Sequence, residues 1–386
     1  MKKERKCIAK NGMNIMSINK ERPIKIAILS MQRVVNFGSV LQAHSLRSIL
    51  QEITGAEVSF LDIEENPALA SKRSVRSSVD YASPAAYLPG IIQRGKRWII
   101  ARLSWVNKQL IRRFMIRELA LSSKSNQSIY DCVVIGSDEV LNHRKGVNLQ
   151  LHGDVRQTQH VISYATSCGC ARVQDIAAED QEKVRQCMCR FSALSVRDDA
   201  TEYYASHLYD GPVLRHLDPV LVGNLYQRCH RKVWLKNYVL IYAYGQRIRT
   251  EEEIHAIQKF ARERKLKTVA MGGSQFWCDM YIPATPFRLL DYFYYADYVI
   301  TDTFHGAIFS VINQRKFVVI SRDTNRPKLT SLLEDLSLSR RMIQNMKDLD
   351  CALMEEIDYQ AVNNRLSVER KRTYAYLREQ LENMVK

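Results

Sequence analysis

A histidine at a predicted strand–turn–helix junction is the best placed residue for chemistry in this chain. Val299 and Ile300 close a short apolar run typical of a strand, and N-cap oxygens follow before a helix that begins near Gly306. His305 therefore lies at or near a helix N-terminus, where free backbone N–H groups and the helix dipole favour an anionic ligand. A histidine there can donate or accept a proton near neutral pH. The residues equally allow His305 to cap its own turn or to pack in the core.

Three earlier junctions also place chemically useful residues after predicted strands. Gly38 permits a tight turn after the strand Ile24–Ser30, Asp138 follows the strand Asp131–Ile135, and Arg197 closes a third strand. Doubly wound sheets bind ligands at the carboxyl ends of their strands. Asp138 could orient a hydroxyl or act as a base, and Arg197 could clamp a phosphate or carboxylate. The structural alternatives are a plain turn for Gly38, an N-cap for Asp138 and an ion pair for Arg197.

The order of these elements predicts an α/β fold of two doubly wound, Rossmann-like domains facing a cleft. A chain of 386 residues also favours two domains over one. We expect a loose basic leader over 1–23 and an N-terminal domain over 24–215, with a basic helical insertion at about 71–120. The C-terminal domain covers 216–386 and ends in a long helix. The boundary is set by Pro219, after which a new strand–helix series begins.

The chain is strongly basic, with 57 Lys and Arg against 41 Asp and Glu and a formal net charge of +16. Such a surface attracts polyanions, anionic lipid or small anionic substrates. The segment Ile91–Arg117 contains eight basic residues and no acidic one, with apolar residues at helical spacing. It predicts an amphipathic helix that could lie on an anionic membrane surface. Alternatively, its apolar stripe packs on its own domain while the basic face is solvated. No nucleic-acid-binding motif is present, so we expect no nucleic acid partner.

The sequence predicts neither a metal site nor a cofactor. Nine cysteines occur, but none has the spacing of a zinc or redox motif, and no cluster of His, Asp and Glu has ligand spacing. There is no signal peptide pattern, and no apolar run approaches the roughly 20 residues of a spanning helix. We therefore expect a cytoplasmic protein, in peripheral contact with the inner face of the membrane if the basic helix docks there.

Six short motifs, taken together, resemble the polysaccharide pyruvyl transferase family. In chain order they are Asn36-Phe37-Gly38-Ser39-Val40-Leu41-Gln42-Ala43, Val134-Ile135-Gly136-Ser137-Asp138, Ser163-Tyr164-Ala165, Ser195-Val196-Arg197-Asp198, Leu217-Asp218-Pro219 and Thr301-Asp302-Thr303-Phe304-His305-Gly306. Their ordered combination, from about residue 24 onward, carries the resemblance. It implies a fold similar to that of two-domain, GT-B-like glycosyltransferases. It also implies phosphoenolpyruvate as donor, a sugar as acceptor, and a role in capsular or extracellular polysaccharide assembly.

The resemblance also implies roles for individual residues. The reaction protonates the methylene carbon of the enol and lets sugar hydroxyls attack the carbon that bears the carboxylate, so it needs cations, an acid and a base. We expect His305 and Asp138 as the catalytic pair. The donor is expected to contact Arg197, Thr303 and Gly306. The acceptor, free or lipid-linked, is expected to contact four residues near the first and third strands: Asn36, Gly38, Ser39 and Ser137.

One motif departs from the family pattern. Some members resemble an Arg-Leu-His-Gly or Arg-Leu-His-Ala version, where this chain has Thr303-Phe304 before His305. A second donor-binding cation must then come from elsewhere, and Arg322, Arg326 and Lys328 are the candidates. The departure keeps two alternatives open. One is glycosyl transfer from a sugar nucleotide, with His305 near the diphosphate; the other is a non-catalytic relative that binds a polysaccharide-assembly partner.

Overall fold

The computed structural model describes residues 24–64, 69, 91–121, 128–245 and 247–384. These residues form two six-stranded sheets, in which every strand pairing is parallel, with helices packed against them. The predicted two-domain α/β fold class is therefore confirmed. The predicted basic leader and the 71–90 part of the insertion lie outside the described residues. In the part of the chain that is described, no helix is both long enough and apolar enough to cross a membrane.

The first sheet has the strand order β2-β1-β3-β4-β5-β6. Its central strands are apolar and buried on both faces, as parallel strands covered by helices require. The strands are β1 (Lys25–Leu29), β2 (Glu57–Leu61), β3 (Cys132–Asp138), β4 (Val161–Thr166), β5 (Phe191–Val196) and β6 (Val213–Arg215).

The second sheet has the order β12-β11-β10-β7-β8-β9. Its strands β7, β10 and β11 form the centre and are almost completely buried. The strands are β7 (Tyr238–Ala243), β8 (Lys267–Gly272), β9 (Met280–Tyr281), β10 (Tyr298–Thr301), β11 (Lys316–Ile320) and β12 (Met342–Ile343).

Helices connect the strands and cover the sheets. The α-helices are α1 (Phe37–Thr54), α2 (Ile91–Glu118), α3 (Ala178–Met188), α4 (Asp199–Ser206), α5 (Pro219–Val222), α6 (Glu251–Glu263), α7 (Pro286–Tyr295), α8 (Phe304–Ile312), α9 (Arg326–Asp335), α10 (Leu349–Met354) and α11 (Tyr359–Asn383). Short 3₁₀ turns are Leu149–His152, Val173–Asp175, Asn224–Gln227, Ser339–Arg341 and Met346–Asp348.

The C-terminal helix α11 packs on the first half of the chain, although the sequence assigned it to the second domain. The hydroxyl of Tyr376 donates to the backbone oxygen of Ser163 at 2.8 Å, and the hydroxyl of Tyr374 donates to Glu52 at 2.8 Å. The helix contacts α1 and α5 and buries Leu377 completely. The C-terminal end of the chain thus returns to the first half, because α11 buries its apolar stripe against α1 and α5.

Helix α2 also contacts both halves of the chain. The ammonium of Lys96 donates to the backbone oxygen of Cys278 at 2.9 Å, and the backbone N–H of Ala284 donates to the Asn107 amide oxygen at 3.0 Å. Ile111 is buried in the cluster that contains α1. The described part of the predicted basic insertion is therefore a helix, and it contacts both halves of the chain.

A partly buried ion pair joins the two halves directly. The ammonium of Lys328, at the start of α9, donates to the carboxylate of Glu139, which follows β3. Burial acts to raise the pKa of Glu139, but the charge and hydrogen bond of Lys328, with the amide of Asn142, hold that pKa at about 2. The carboxylate in turn raises the pKa of Lys328 against the opposing effect of burial. Both groups are thus charged at neutral pH.

Leu377→Ala tests the packing of α11 on the first half. Its side chain is fully buried, so truncation is expected to lower the free energy of unfolding by about 2–5 kcal/mol, measured by urea denaturation. Val368→Ala on the same helix is the control, because that side chain is 63% exposed and should cost less than about 0.5 kcal/mol. Equal effects of the two substitutions would contradict the packing.

The Glu139–Lys328 pair should give a defined pH dependence. The pKa of Glu139 is about 2 in the folded chain, below its ordinary value of 4.5. Its stabilisation is therefore complete above about pH 4.5 and is lost as the pH falls toward 2. The stability difference between the wild type and Glu139→Gln, up to about 3 kcal/mol at pH 7, should shrink as the pH falls through this window. Glu356→Gln, at an exposed ion pair, is the control. A difference that is independent of pH would refute the assignment.

Candidate active site

His305 lies in the first turn of α8, as the sequence predicts. The hydroxyl of Thr303 is the N-cap and accepts the backbone N–H of Gly306 at 2.9 Å. Because Thr303 caps the helix, the imidazole of His305 does not have to do so. The His305 side chain is 13% exposed. It is therefore neither an N-cap nor a fully buried core residue.

A second helix begins beside the same histidine. Asn36 caps α1 by accepting the backbone N–H of Gly38 at 2.7 Å. The His305 ring packs directly on the backbone at Gly38, so that a Cβ at this position would overlap the ring. Residues at the start of both α1 and α8 line one cavity, Asn36 and Thr303 among them. The positive ends of two helix dipoles thus meet near His305, which favours an anion there.

The cavity lies between the carboxyl ends of β7 and β8 and the start of α1, and it has a volume of about 150 Å³. The turn between β10 and α8 and one face of α2 complete its wall. Gly272 and Gly273 leave its wall without side chains, and Tyr244, which is 48% exposed, supplies an aromatic ring. Lys108 of α2 supplies a cation. The cavity therefore combines an ammonium, an imidazole, an aromatic ring and helix N-termini.

Asp218 lies behind His305 and connects it to Arg197. Its carboxylate is buried, accepts Nη1 of Arg197 at 2.9 Å and the backbone N–H of Val220 at 3.0 Å, and lies 3.6 Å from Nε2 of His305. Burial acts to raise the pKa of Asp218, but His305 and Arg197 hold it below its ordinary value. An ionised carboxylate therefore faces the imidazole of His305.

Arg197 is buried under the ring of Phe304. Its guanidinium carbon lies 4.2 Å from the ring centroid, and its side chain is 2% exposed. Nε of Arg197 and Nε2 of His305 are buried nitrogen atoms without a hydrogen-bond partner among the described residues. Buried polar atoms are usually paired in proteins. Nε2 of His305 instead faces the Asp218 carboxylate at 3.6 Å, just beyond hydrogen-bond distance.

Asp138 ends β3 with its carboxylate held by the start of α1. The hydroxyl of Ser39 donates to Asp138 at 2.7 Å, and the backbone N–H of Glu139 donates to the other carboxylate oxygen at 3.0 Å. Asp138 has a φ of +78° and does not cap a helix. Ser137 is buried, and its hydroxyl donates to the backbone oxygen of Ala165 at 3.0 Å. Ser39 and Asp138 thus form one polar pair, while Ser137 is occupied inside the sheet.

Arg322 and Arg326 are engaged elsewhere. Arg322 pairs with Glu253 at 2.6 Å, and Arg326 pairs with Asp323 at 2.9 Å. Neither arginine is among the described residues that line the cavity. The cations nearest the His305 site are instead Lys108 on its wall, and Arg197 and Lys328, which both lie over the Phe304 ring.

Gly306 is packed too tightly to leave space for a ligand. A Cβ at this residue would overlap the hydroxyl of Thr301, and its backbone N–H is already bonded to Thr303. The sequence placed Gly306 in contact with the donor. In the structure it allows α8 to begin close to the end of β10, and this positions His305.

Asp302 is a second buried carboxylate next to the cavity wall. It accepts the backbone N–H of Tyr244 at 3.3 Å and lies 3.0 Å from Nε of Arg247. Burial raises the pKa of Asp302 to about 6, although Arg247 and Arg322 act to lower it. A carboxyl group that titrates near neutrality beside a cavity is typical of functional sites. Asp302 thus ties the Tyr244 loop to the turn between β10 and α8, the helix that carries His305.

Three of these groups had no assigned role in the sequence analysis. Asp218 carried a recognisable signal, since Asp followed by Pro is typical of an N-cap and first helical residue. Glu139 is paired with a residue 189 positions away, and no local pattern shows such a pairing. Lys108 was one of eight basic residues on α2, and only the packing distinguishes it. Within the described ranges, no group of three metal-ligating side chains is present.

Comparison with solved structures finds chains of similar size at low sequence identity. The glycosyltransferase SnogD from Streptomyces nogalater is 13% identical, covering 95% of this chain and all of its own, with a TM-score of 0.41. The UDP-GlcNAc 2-epimerase of Methanocaldococcus jannaschii is 10% identical over 90% and 99% of the two chains, with a TM-score of 0.43. The S. aureus MnaA–UDP structure is 13% identical over 89% and 90%, with a TM-score of 0.46.

No curated protein sequence gives a significant match. A model of the polysaccharide pyruvyl transferase family matches residues 36–324. The matched range begins at the Asn36 cap of α1 and includes Asp138, Arg197, Asp218 and His305. It covers both sheets apart from the first strand and the last, so this chain belongs to the polysaccharide pyruvyl transferase family.

Proposed function

We propose that this protein transfers the enolpyruvyl group of phosphoenolpyruvate to a sugar in cell-surface polysaccharide biosynthesis. In this reaction two sugar hydroxyls form two C–O bonds to the carbon that carried the phosphate, and the C–O bond to phosphate breaks. One hydroxyl proton ends on the former methylene carbon, which becomes a methyl group, and the other ends on the released phosphate. The product is a pyruvate ketal that retains the carboxylate.

The observation that carries the proposal is the position of His305. It lies at the N-termini of two helices, on a cavity that also holds an ammonium, with the ionised Asp218 behind it. The helix N-termini and Lys108 suit the phosphate and carboxylate of the donor. Asp218 suits an imidazolium that must deliver a proton to carbon. Phosphoenolpyruvate is a small, strongly anionic donor that needs both features.

His305 acts as the general acid toward the methylene carbon. Asp218 faces its Nε2 at 3.6 Å and can balance the charge of an imidazolium, and Arg197 keeps Asp218 ionised and oriented. Asp138 acts as the base toward a sugar hydroxyl, with Ser39 fixing the orientation of its carboxylate. The positive charge that develops on the enol carbon is next to the donor's own carboxylate, which lowers its energy.

The first half of the chain carries the acceptor contacts Asn36, Ser39 and Asp138. The second half carries the donor contacts His305 and Thr303, to which α2 of the first half adds Lys108. The acceptor is a sugar, and a lipid-linked sugar is included because α2 lines the cavity and is strongly basic. The protein acts in the cytoplasm, with peripheral contact at the inner face of the membrane.

Two alternatives remain for a chain of this family and fold. Glycosyl transfer from a sugar nucleotide would also use an anion site at helix N-termini, and it would release a nucleoside diphosphate instead of phosphate. A non-catalytic assembly protein would keep its biological role after His305→Ala. The product released and the effect of that substitution therefore separate the three functions.

Phosphate release from phosphoenolpyruvate tests the proposal. The purified protein, offered free and lipid-linked sugars, should release phosphate only with a suitable acceptor. His305→Gln should lower kcat by about 10²–10⁴-fold, because it removes the proton donor. Lys108→Ala should raise KM for phosphoenolpyruvate about tenfold with a smaller effect on kcat, because it removes a charged contact.

Arg326→Ala is the matched control for Lys108→Ala. It removes an exposed cation that is paired with Asp323, and its KM should stay within about twofold of the wild type. If Arg326→Ala raised KM and Lys108→Ala did not, the assignment of Lys108 as the second donor-binding cation would be wrong. Release of a nucleoside diphosphate from a sugar nucleotide, with no phosphate from phosphoenolpyruvate, would refute pyruvyl transfer.

Gly38→Ala tests the contact between α1 and His305. The added methyl group overlaps the imidazole, so the ring must move, and kcat should fall at least about tenfold. Gly95→Ala in α2 is the control, because a Cβ there meets open space and should leave kcat unchanged. Full activity of Gly38→Ala would show that the position of His305 does not matter to the reaction.

A further inference from the structure

The outward face of α2 combines tryptophans with arginines. Trp98, Trp105 and Ile116 are 64%, 61% and 67% exposed. With 3.6 residues per turn, these three positions fall within about 20° of one another around the helix axis. Arg102 and Arg113 are exposed within about 60° of the same line. The face is therefore a stripe of large apolar side chains with basic side chains beside it.

This stripe is separate from the stripe that stabilises the fold. Ile100, Ile111 and Phe114 lie on the opposite side of α2 and are buried against the two halves of the chain. Among the described residues, only that side of α2 packs on the rest of the chain. The exposed tryptophans therefore contribute little to the free energy of folding. An exposed apolar patch of this kind marks an interaction surface.

The charge of α2 indicates which kind of partner binds this exposed face. Eight basic residues and no acidic residue lie between 91 and 117, and the guanidinium of Arg102 lies 5.6 Å from the Trp98 ring centroid. Tryptophan prefers the boundary between lipid tails and head groups, and arginine beside it is attracted to anionic head groups. A protein partner would need an apolar groove lined with acidic residues. A bilayer provides both features over any area.

We propose that this face of α2, centred on Trp98, Trp105, Arg102, Arg112 and Arg113, docks on a bilayer containing anionic lipid. The docking is independent of the reaction that the cavity catalyses. It has one consequence for the cavity, because Lys108 and Asn107 of the same helix line it. A docked α2 brings the cavity wall within one helix diameter, roughly 10 Å, of the lipid head groups.

Vesicle sedimentation tests the docking with the full chain. The wild type should sediment with phosphatidylglycerol-containing vesicles at low salt, less at high salt, and not with pure phosphatidylcholine. Replacing Arg102, Arg112 and Arg113 with Glu should lower the bound fraction at least about tenfold. The matched control replaces the exposed residues Lys236, Lys259 and Lys267 of the second half with Glu, and should leave binding within about twofold.

The tryptophans give a second readout that does not depend on net charge. The chain has four, and Trp234 is 65% exposed on the second half. Vesicles should shift the fluorescence of the wild type to the blue, and Trp98→Phe with Trp105→Phe should abolish most of that shift. Trp234→Phe should retain it. All variants change exposed side chains, so unchanged thermal unfolding confirms that they fold.

Three results would overturn the proposal. The first is no sedimentation of the wild type with anionic vesicles. The second is an equal loss of binding in the two triple-Glu variants, which would indicate adsorption by net charge alone. The third is a dimer in solution that dissociates on Trp98→Ala and Trp105→Ala while vesicle binding is absent, because a second copy of the chain would then cover the face.

Discussion

The site depends on one buried carboxylate, that of Asp218. It caps α5, accepts the guanidinium of Arg197 from the end of β5, and faces the imidazole of His305 from the second half. A buried charge is costly unless it is paired, so each of these groups limits where the others can lie. Removing any one would leave an unpaired charge or donor in the interior. The positions of Arg197, of His305 and of the start of α5 thus depend on the same carboxylate.

Local sequence patterns predicted the parts of the site that are built by single turns. A short apolar run, a capping threonine and a glycine were enough to place His305 at the start of a helix, and Gly38 marked a turn after the first strand. What they could not predict was that these two turns touch. The contact between Gly38 and His305 joins residues that are 267 positions apart in the chain. No local sequence pattern indicates a contact between residues so far apart.

The same limit applies to the packing partners of two helices. Helices α2 and α11 have apolar stripes, and a stripe shows that a helix is buried without showing on which partner. Their partners lie across the predicted boundary, where Lys96 meets Cys278 and Tyr376 meets Ser163. The two sheets are therefore held together by helices as well as by the Glu139–Lys328 pair. Relative motion of the two halves must work against these contacts.

The central claim is that the cavity beside His305 binds phosphoenolpyruvate as the group donor. Isothermal titration calorimetry of the wild-type chain, with phosphoenolpyruvate in one experiment and a panel of sugar nucleotides in another, tests it most directly. The account predicts saturable heat with phosphoenolpyruvate and none with the sugar nucleotides. Saturable binding of a sugar nucleotide, with no heat from phosphoenolpyruvate, would contradict it.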